Sequence, residues 1–265
     1  VTVALARSED SIRAAASLPG GARYEPKWDG YRLVAVRDEQ GVRLWSRQGK
    51  DLTGRLPDLA VAARDQLAAG TVLDGEAVIW NGDRLDFDLL QRRLVSARSG
   101  LASLAATHPA TFMVFDVLAV GDVDVRSRRL HERREILEDL STSWRPPLQL
   151  TPSTGDEQTA RQWFTDYRPA GVEGLVVKAA TGVYAPGRRS WVKVKSRETV
   201  DVIVSISVAD GWHTYGKGDR DAPQLVATSA QAAQPRGGNR LPNGAPKEER
   251  QVLSGGFELR QAYAI

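Results

Sequence analysis

The sequence predicts an α+β fold built on antiparallel sheets, with helices packed against them at irregular intervals. Segments with the apolar pattern of strands outnumber segments with helical periodicity. Short turn sequences, at residues 38–41 and at Asn81-Gly82, follow two of the strand segments and favour antiparallel hairpins. Helices do not alternate regularly with strands, as they would around a doubly wound parallel sheet.

The first half of the chain supplies four of the predicted strands. Apolar periodicity and flanking turn residues define them. The strands are predicted at 23–29, 31–37, 42–46 and 71–80. A short helix is predicted at 9–16 and a longer one at 56–67, which Gly70 ends.

The second half of the chain mixes helices and strands. Helices are predicted at 87–94, 101–106, 128–140 and 157–167. Strands are predicted at 111–118, 172–178, 191–195 and 201–208. Residues 216–250 are rich in glycine, proline, glutamine and charge, so we expect a disordered or linker-like segment there.

The composition excludes several classes of protein. The 265 residues include no cysteine, which rules out disulfides, thiolate zinc sites and a cysteine nucleophile. The three histidines are too few and too scattered to suggest a histidine-based metal site or triad. No apolar run approaches the roughly 18 residues of a membrane span, and the N-terminus lacks a signal pattern. A cytoplasmic location without a membrane role is therefore expected, and the net charge of +3 is compatible with a nucleic-acid partner.

Residues 24–32 place a lysine among aromatic and acidic residues. In a strand, Glu25, Lys27 and Asp29 would share one face and the aromatic residues the other. Gly30 then breaks the pattern and allows a turn or a close approach. The stretch predicts a half-buried strand whose charged face lines a pocket, although an exposed strand with a solvated lysine has the same pattern.

A lysine at such a position can act as a nucleophile only when its amine is neutral. At an unperturbed pKa of about 10.4, roughly one lysine in a thousand is neutral near pH 7.5, and closing that gap costs roughly 4 kcal/mol. A positive charge about 5 Å away supplies roughly 3 kcal/mol at an effective dielectric near 20. Lys193 and Lys195 alternate on one strand face, so the sequence predicts that they help to activate Lys27.

The same lysines suit a nucleoside triphosphate. Attack on its α-phosphorus builds negative charge, which Lys178, Lys193 and Lys195 could offset. Glu173 is a suitable oxygen ligand for a divalent metal, which usually needs one or two carboxylates besides phosphate and water.

Three further residues could hold the nucleoside. Glu76 and Arg32 could bind the ribose hydroxyls, and Phe115 could stack on the base. Each has an ordinary alternative when it is considered alone. Phe115 could be a core residue, and Glu76 with its neighbour Asp74 could occupy solvated strand positions.

Six short motifs occur in a fixed order. They are Lys27-Trp28-Asp29-Gly30, Ser46-Arg47-Gln48-Gly49, Leu73-Asp74-Gly75-Glu76, Phe112-Met113-Val114-Phe115-Asp116, Glu173-Gly174-Leu175-Val176-Val177-Lys178 and Trp191-Val192-Lys193-Val194-Lys195. Their order and spacing across roughly residues 20–200 resemble the adenylation domain of a small bacterial or archaeal-type ATP-dependent DNA ligase. These ligases are members of the covalent nucleotidyltransferase superfamily.

The resemblance implies both a fold and a reaction. Residues 1–200 would form an ATP-grasp-like nucleotidyltransferase domain of antiparallel sheets flanked by helices. Lys27 would take AMP from ATP, pass it to the 5′-phosphate of a DNA nick, and the nick would then be sealed. The implied cofactors are ATP and Mg²⁺ or Mn²⁺, and the implied partner of the monomer is nicked double-stranded DNA, in repair or recombination.

The resemblance also implies residue roles. Arg47 would contact the 5′-phosphate of the nick, Glu76 the ribose, and Phe115 the adenine. Glu173 and Glu76 would hold the metal. The implied ATP-binding set consists of Glu25, Lys27, Arg32, Arg47, Glu76, Phe115, Lys178, Lys193 and Lys195.

Residues 201–265 depart from the pattern of the family. The resemblance implies an OB-fold there that ends in a basic motif orienting the pyrophosphate, but no such motif occurs in this stretch. We therefore expect a truncated or divergent start of an OB-fold with a linker-like tail, weak self-adenylation, and better sealing of nicks that already carry AMP. The alternatives are an RNA ligase, a capping-type nucleotidyltransferase, and a catalytically impaired DNA-binding remnant.

Overall fold

The computed structural model describes residues 2–196 and, beyond them, the backbone of five strands. The chain divides into two compact units, Val1–Ser196 and Arg197–Ile265. The first unit contains eleven strands in its described part: β1 Ala6–Glu9, β2 Ala22–Pro26, β3 Tyr31–Asp38, β4 Gly41–Ser46, β5 Thr71–Asn81, β6 Arg84–Leu85, β7 Ala110–Val120, β8 Val123–Asp124, β9 Leu148–Leu150, β10 Gly174–Ala179 and β11 Trp191–Lys195. Its helices are α1 Pro57–Gln66, α2 Phe87–Val95, α3 Arg98–Thr107, α4 Leu130–Ser141 and α5 Glu157–Asp166.

These strands form two sheets. The larger sheet has the order β4-β3-β5-β7-β8, with β6 paired to β5 and β9 paired to β7. The smaller sheet has the order β1-β11-β10-β2. All of these pairs are antiparallel except β1 with β11 and β7 with β9. The predicted α+β class with antiparallel sheets is confirmed.

Helices cover one face of each sheet, and the opposite faces contribute to a shared apolar cluster. Leucines of α1, α2 and α4 pack with residues of the larger sheet in the main core. Ala160 of α5 packs against the smaller sheet. A further cluster joins Val34 and Phe115 of the larger sheet to Trp191 of the smaller one. Burial of these apolar surfaces supplies the main driving force that holds the sheets together.

Two fully buried arginines tie helices to neighbouring elements. Arg93 of α2 pairs with Asp58 at the start of α1, and the same carboxylate accepts a hydrogen bond from the Ala110 backbone at 2.8 Å. Arg133 of α4 donates to both oxygens of Asp116 in β7, at 2.7 and 3.0 Å. Since an unpaired buried charge is strongly destabilising, these pairs fix α2 and α4 in place.

Two local predictions from the sequence were wrong. Residues 9–16 are not a helix: Ala6–Glu9 is a strand, and a single 3-10 turn covers Ala15–Ser17. The strand forms because it pairs with β11, a partner distant in sequence that local periodicity cannot show. The predicted strand at 23–29 ends at Pro26, so Lys27 and Asp29 follow the strand rather than share its face.

The second unit contains only strands in its described part. Thr199–Ile206 (β12) pairs antiparallel with Phe257–Ala264 (β16). Thr214–Tyr215 (β13) and Ala245–Lys247 (β14) both flank Arg250–Leu253 (β15).

The expected disorder at 216–250 lies outside the described residues except at 245–247 and 250, where the chain is strand instead. The domain boundary at residue 200, and the start of an OB-fold after it, stay predictions. None of the helices in the described residues has both the length and the apolar character needed to cross a membrane.

Candidate active site

A cavity of about 710 Å³ lies where residues of the two sheets meet. Its volume is within the usual range for small-molecule sites. Eight of the nine predicted nucleotide-binding residues line it, namely Glu25, Lys27, Arg32, Arg47, Glu76, Phe115, Lys178 and Lys193. The predicted metal ligand Glu173 forms ion pairs both with Lys27 and with the ninth residue, Lys195. The fold therefore gathers residues that are up to 170 positions apart in the sequence.

Lys27 is placed by backbone pairing with the start of β10. Its amide donates to the Gly174 carbonyl at 2.8 Å, and its carbonyl accepts from the Glu173 amide at 2.9 Å. Gly174 has a φ of +141°, and a Cβ there would lie 2.0 Å from the Val194 carbonyl oxygen. Only glycine fits this position, and it lets the chain bring Glu173 beside the lysine.

Glu173 lies between two ammonium groups. One of its oxygens contacts Lys27 Nζ, and the other accepts from Lys195 Nζ at 3.0 Å. Burial alone would raise the pKa of Glu173, but the two lysines outweigh it and hold that pKa below its usual value. The carboxylate thus balances the charge of the lysine that the sequence singles out as the nucleophile.

This contact corrects the expected electrostatics of the lysine cluster. Lys193 and Lys195 were expected to activate Lys27 by repulsion, but Lys195 shares Glu173 with Lys27. Burial, followed by the charges of Lys27 and Lys195, lowers the pKa of Lys193. The sequence showed the lysines on one strand face but could not show where the carboxylate inserts.

A second ion pair lies in the cavity wall beside two aromatic rings. Lys178 Nζ is 2.6 Å from a carboxylate oxygen of Glu25, and both side chains are almost completely buried, at 1% and 3% exposed. The same ammonium group lies 4.7 Å from the ring centre of Phe115 and 4.3 Å from that of Trp191. Cation–π attraction adds to the pairing and fixes the aromatic wall next to a buried acceptor.

Arg32 is held in a fixed orientation by Asp74. Two guanidinium nitrogens of Arg32 donate to the two oxygens of Asp74, each at 2.6 Å. The Tyr184 hydroxyl donates to Asp74 at 2.5 Å and accepts from the Ala4 amide at 3.1 Å. The guanidinium stacks 4.5 Å above the Phe115 ring. Bidentate pairing and stacking together leave this arginine little freedom to turn away from the cavity.

Tyr184→Phe is expected to destabilise the protein by about 1–3 kcal/mol, because a buried carboxylate and a buried amide each lose a partner. The midpoint of urea unfolding measures this change. Tyr167→Phe is the matched control, since no hydrogen bond from its hydroxyl occurs among the described residues, and its effect should stay within about 0.5 kcal/mol. Equal midpoints for the two variants would contradict a structural role for the Tyr184 hydroxyl.

Glu76 is a carboxylate of the cavity that has no hydrogen-bond or ion-pair partner within the described residues. Burial raises its pKa to about 7, although the charges of Arg32 and Lys27 oppose the rise. A partly buried acid without a donor is ready to accept hydrogen bonds or to bind a cation.

The N-terminal segment is the part of the site that sequence reasoning missed. Residues 2–6 line the cavity, and the backbone of this segment bonds to the loop before β11. Asp29, expected to share a face with Lys27, instead lines a second, smaller cavity. Tyr184 and Arg189 were not predicted either, and no local pattern marks them as site residues.

Comparisons with known proteins identify the family of this chain. The family model described as "ATP dependent DNA ligase domain" matches residues 4–195. DNA ligase C2 of Mycolicibacterium smegmatis is 42% identical over 188 residues, which cover 71% of this chain and 53% of that protein. DNA ligase C of Mycobacterium tuberculosis is 38% identical over 197 residues, covering 73% and 55%.

Solved structures give the same result. The structure titled "mycobacterial DNA ligase D complexed with ATP and MES" aligns with a TM-score of 0.54 and 32% identity, over 76% of this chain and 63% of that one. The ligase domain of LigD from M. tuberculosis aligns with a TM-score of 0.55 and 30% identity, over 77% and 64%. The chain spans about half the length of the curated relatives that it matches. Residues of all six motifs line the cavity of this protein. Because the family model also covers most of the chain, this protein belongs to the family of ATP-dependent DNA ligase domains.

Proposed function

We propose that this chain carries out the nucleotidyl transfer of an ATP-dependent DNA ligase, with Lys27 as the nucleophile. The observation that carries the proposal is the position of Lys27, at the edge of a cavity with an aromatic wall and in contact with a carboxylate. Lys27 would receive AMP from ATP, pass it to the 5′-phosphate of nicked double-stranded DNA, and allow the 3′-hydroxyl to seal the nick.

Adenine would bind against the aromatic wall. Phe115 lines the cavity and would pack against the base, and the buried oxygens of Glu25 could accept a hydrogen bond from its exocyclic amine. Glu76 could accept from the ribose hydroxyls, and Arg32 could donate to them from its fixed position. Guanine presents a carbonyl at the place of that amine, so a carboxylate there favours adenine.

The first step needs a proton to leave Lys27. Glu173 contacts Nζ and is the acceptor at hand. The neutral amine then forms a P–N bond to the α-phosphorus. The bond from that phosphorus to the bridging oxygen breaks, and its electron pair leaves with pyrophosphate. Lys193 would offset the negative charge that builds on the phosphate oxygens. Lys178, expected from the sequence to do the same, is instead buried beside Glu25 and the aromatic wall.

The donor set fits Mg²⁺ or Mn²⁺ held mainly by the nucleotide. The described residues contain no group of three or more acidic or histidine side chains that could cage a metal, and Mg²⁺ commonly uses only one or two carboxylates besides phosphates and waters. Glu173 and the unpartnered Glu76 are the residues that would hold it. When bound, the ion would neutralise charge developing on the phosphates.

Arg47 would serve the later steps. It is exposed at the cavity, in a turn that the Gly49 amide closes by donating to the Ser46 carbonyl at 2.9 Å. An exposed arginine in a closed turn suits the 5′-phosphate of a nick. None of the three steps requires a second copy of the chain, so we propose a monomer. We also propose that it acts in the cytoplasm, in DNA repair or recombination.

The test is covalent labelling of the full chain. We expect ATP labelled at the α-phosphate to give a labelled protein that keeps its label on a denaturing gel. ATP labelled at the γ-phosphate should leave the protein unlabelled. Pyrophosphate or nicked duplex DNA should remove the label, and DNA should be sealed. Labelling by GTP instead would indicate a capping-type enzyme, and sealing of RNA alone an RNA ligase. A folded protein that neither takes the label nor seals pre-adenylated nicks would overturn the proposal.

A further inference from the structure

The cations of the cavity fall into two groups. Three of them have a carboxylate partner: Lys27 pairs with Glu173, Lys178 with Glu25, and Arg32 with Asp74. Three other cations line the same cavity and have no acidic partner in the part of the chain that the structure describes, namely Arg47, Arg189 and Lys193. These three side chains therefore bring positive charge to the cavity wall that no ion pair among the described residues neutralises.

Arg189 belongs to this second group and has no role so far. Its charge is close enough to Lys193 to contribute to lowering the pKa of that lysine, after burial and the charges of Lys27 and Lys195. Lys27, Lys193 and Arg189 therefore form a run of neighbouring positive charges. Six cations and two acids line the cavity in all, so it favours a multiply charged anion.

The backbone around Arg189 is held on both sides. Arg189 lies in the loop at 185–190, between β10 and β11. The Gly187 amide donates to the Val3 carbonyl at 2.9 Å, and the Leu5 amide donates to the Arg188 carbonyl at 2.8 Å. The Trp191 amide closes the run by donating to the Leu5 carbonyl at 3.2 Å. The N-terminal segment thus fixes the loop that carries Arg189, which lowers the entropic cost of using this side chain in binding.

We propose that Arg189 binds the β- and γ-phosphates of ATP and neutralises the pyrophosphate as it leaves. The inference rests on the proposed function, because that function places the α-phosphorus at Lys27. The β- and γ-phosphates carry most of the charge of ATP, and Lys193 and Arg189 are cavity cations close to Lys27 that have no carboxylate ion-pair partner among the described residues. A guanidinium suits them because its fork of donors can bind two phosphate oxygens at once.

The role predicts a specific stage of the reaction. While the P–N bond to Lys27 forms and the bond to the bridging oxygen breaks, negative charge builds on the pyrophosphate that takes the electron pair, and Arg189 faces that charge. In sealing of a pre-adenylated nick, AMP leaves and no pyrophosphate is present. Arg189 should therefore matter in the first step and in its reversal, and not in the last step.

The experiment compares Arg189→Ala with Arg188→Ala in the full chain. Arg188 is the matched control, since it is the adjacent exposed arginine and does not line the cavity. We expect Arg189→Ala to raise the KM for ATP in labelling of Lys27 by about tenfold or more. The pyrophosphate concentration needed to remove the label should rise by a similar factor. Sealing of a pre-adenylated nick should change less than about twofold. Arg188→Ala should stay within about twofold in all three measurements.

Other results overturn the proposal. Equal losses in labelling and in sealing of the pre-adenylated nick would assign Arg189 to the DNA backbone, and unchanged values in all three would leave it without a role. If the wild-type chain neither takes the label nor seals pre-adenylated nicks, the proposed function fails, and binding of inorganic tripolyphosphate then decides the inference separately. If the Kd for tripolyphosphate is the same in Arg189→Ala and in the wild type, the inference is overturned. A Kd raised by about tenfold in Arg189→Ala, and not in Arg188→Ala, supports it.

Discussion

Replacing Lys27 by arginine is expected to abolish labelling by α-labelled ATP, with a loss of at least about a thousandfold in the rate of adduct formation. Arginine keeps the positive charge and can still pair with Glu173, so the fold of the site should survive. It cannot lose its proton near neutral pH and therefore offers no free electron pair to phosphorus. Quantified label on a denaturing gel, with intact mass as a second readout, measures the loss.

Lys50→Arg is the control for this variant. Lys50 is an exposed lysine that does not line the cavity, and its substitution should leave labelling within about twofold of wild type. Lys27→Arg should also keep some sealing of pre-adenylated nicks, since that step needs no lysine nucleophile. An adduct on Lys27→Arg, located by peptide mass on Lys193 or Lys195, would show that the nucleophile was assigned to the wrong lysine.

The lysine that the sequence selects lies in the expected cavity, but its surroundings were only partly predictable. The motif letters placed Lys27, Glu76, Phe115 and Lys193 around one cavity, and the structure agrees. The sequence could not show that Glu173 lies between Lys27 and Lys195, because this depends on how β10 pairs with the segment after β2. Repulsion among the lysines was inferred from their residue types. The pairing of Lys27 and Lys195 with Glu173, which relieves this repulsion, is set by backbone register.

The N-terminal segment shows the same limit for the fold. Strands such as β5 and β7 were predictable because their apolar runs are long and are bounded by turns. The four residues Ala6–Glu9 carry no such pattern, with two of them exposed and two half-buried. Their conformation comes from parallel pairing with β11, about 185 positions away. Tyr184 was missed for a related reason. Its hydroxyl forms hydrogen bonds with Asp74 and Ala4, which are distant in the sequence, and its neighbours along the chain give no sign of them.

Asp116→Asn is expected to cost about 3–5 kcal/mol of stability, the largest structural effect predicted for this chain. Asp116 and Arg133 are each 1% exposed, and the substitution leaves the guanidinium charge buried without its counter-charge. The Arg128 carbonyl at 2.6 Å and the Gly182 carbonyl at 3.3 Å accept from the same guanidinium but carry no net charge to replace the carboxylate. Asp116 also follows Phe115 in β7, so the loss should loosen the aromatic wall of the cavity.

The measurement is urea unfolding followed by tryptophan fluorescence, because six of the seven tryptophans precede residue 197 and report on the first unit. Glu138→Gln is the control: Glu138 pairs with Arg134 one turn away on the same helix, at 53% exposure, and its loss should cost less than about 0.5 kcal/mol. The double variant Asp116→Leu/Arg133→Met removes both charges and should recover much of the loss. If Asp116→Asn unfolded at the same urea concentration as Glu138→Gln, the pair would not be anchoring α4 to β7. The adjacent Phe115 would then owe its position to apolar packing and to the cations stacked on its ring.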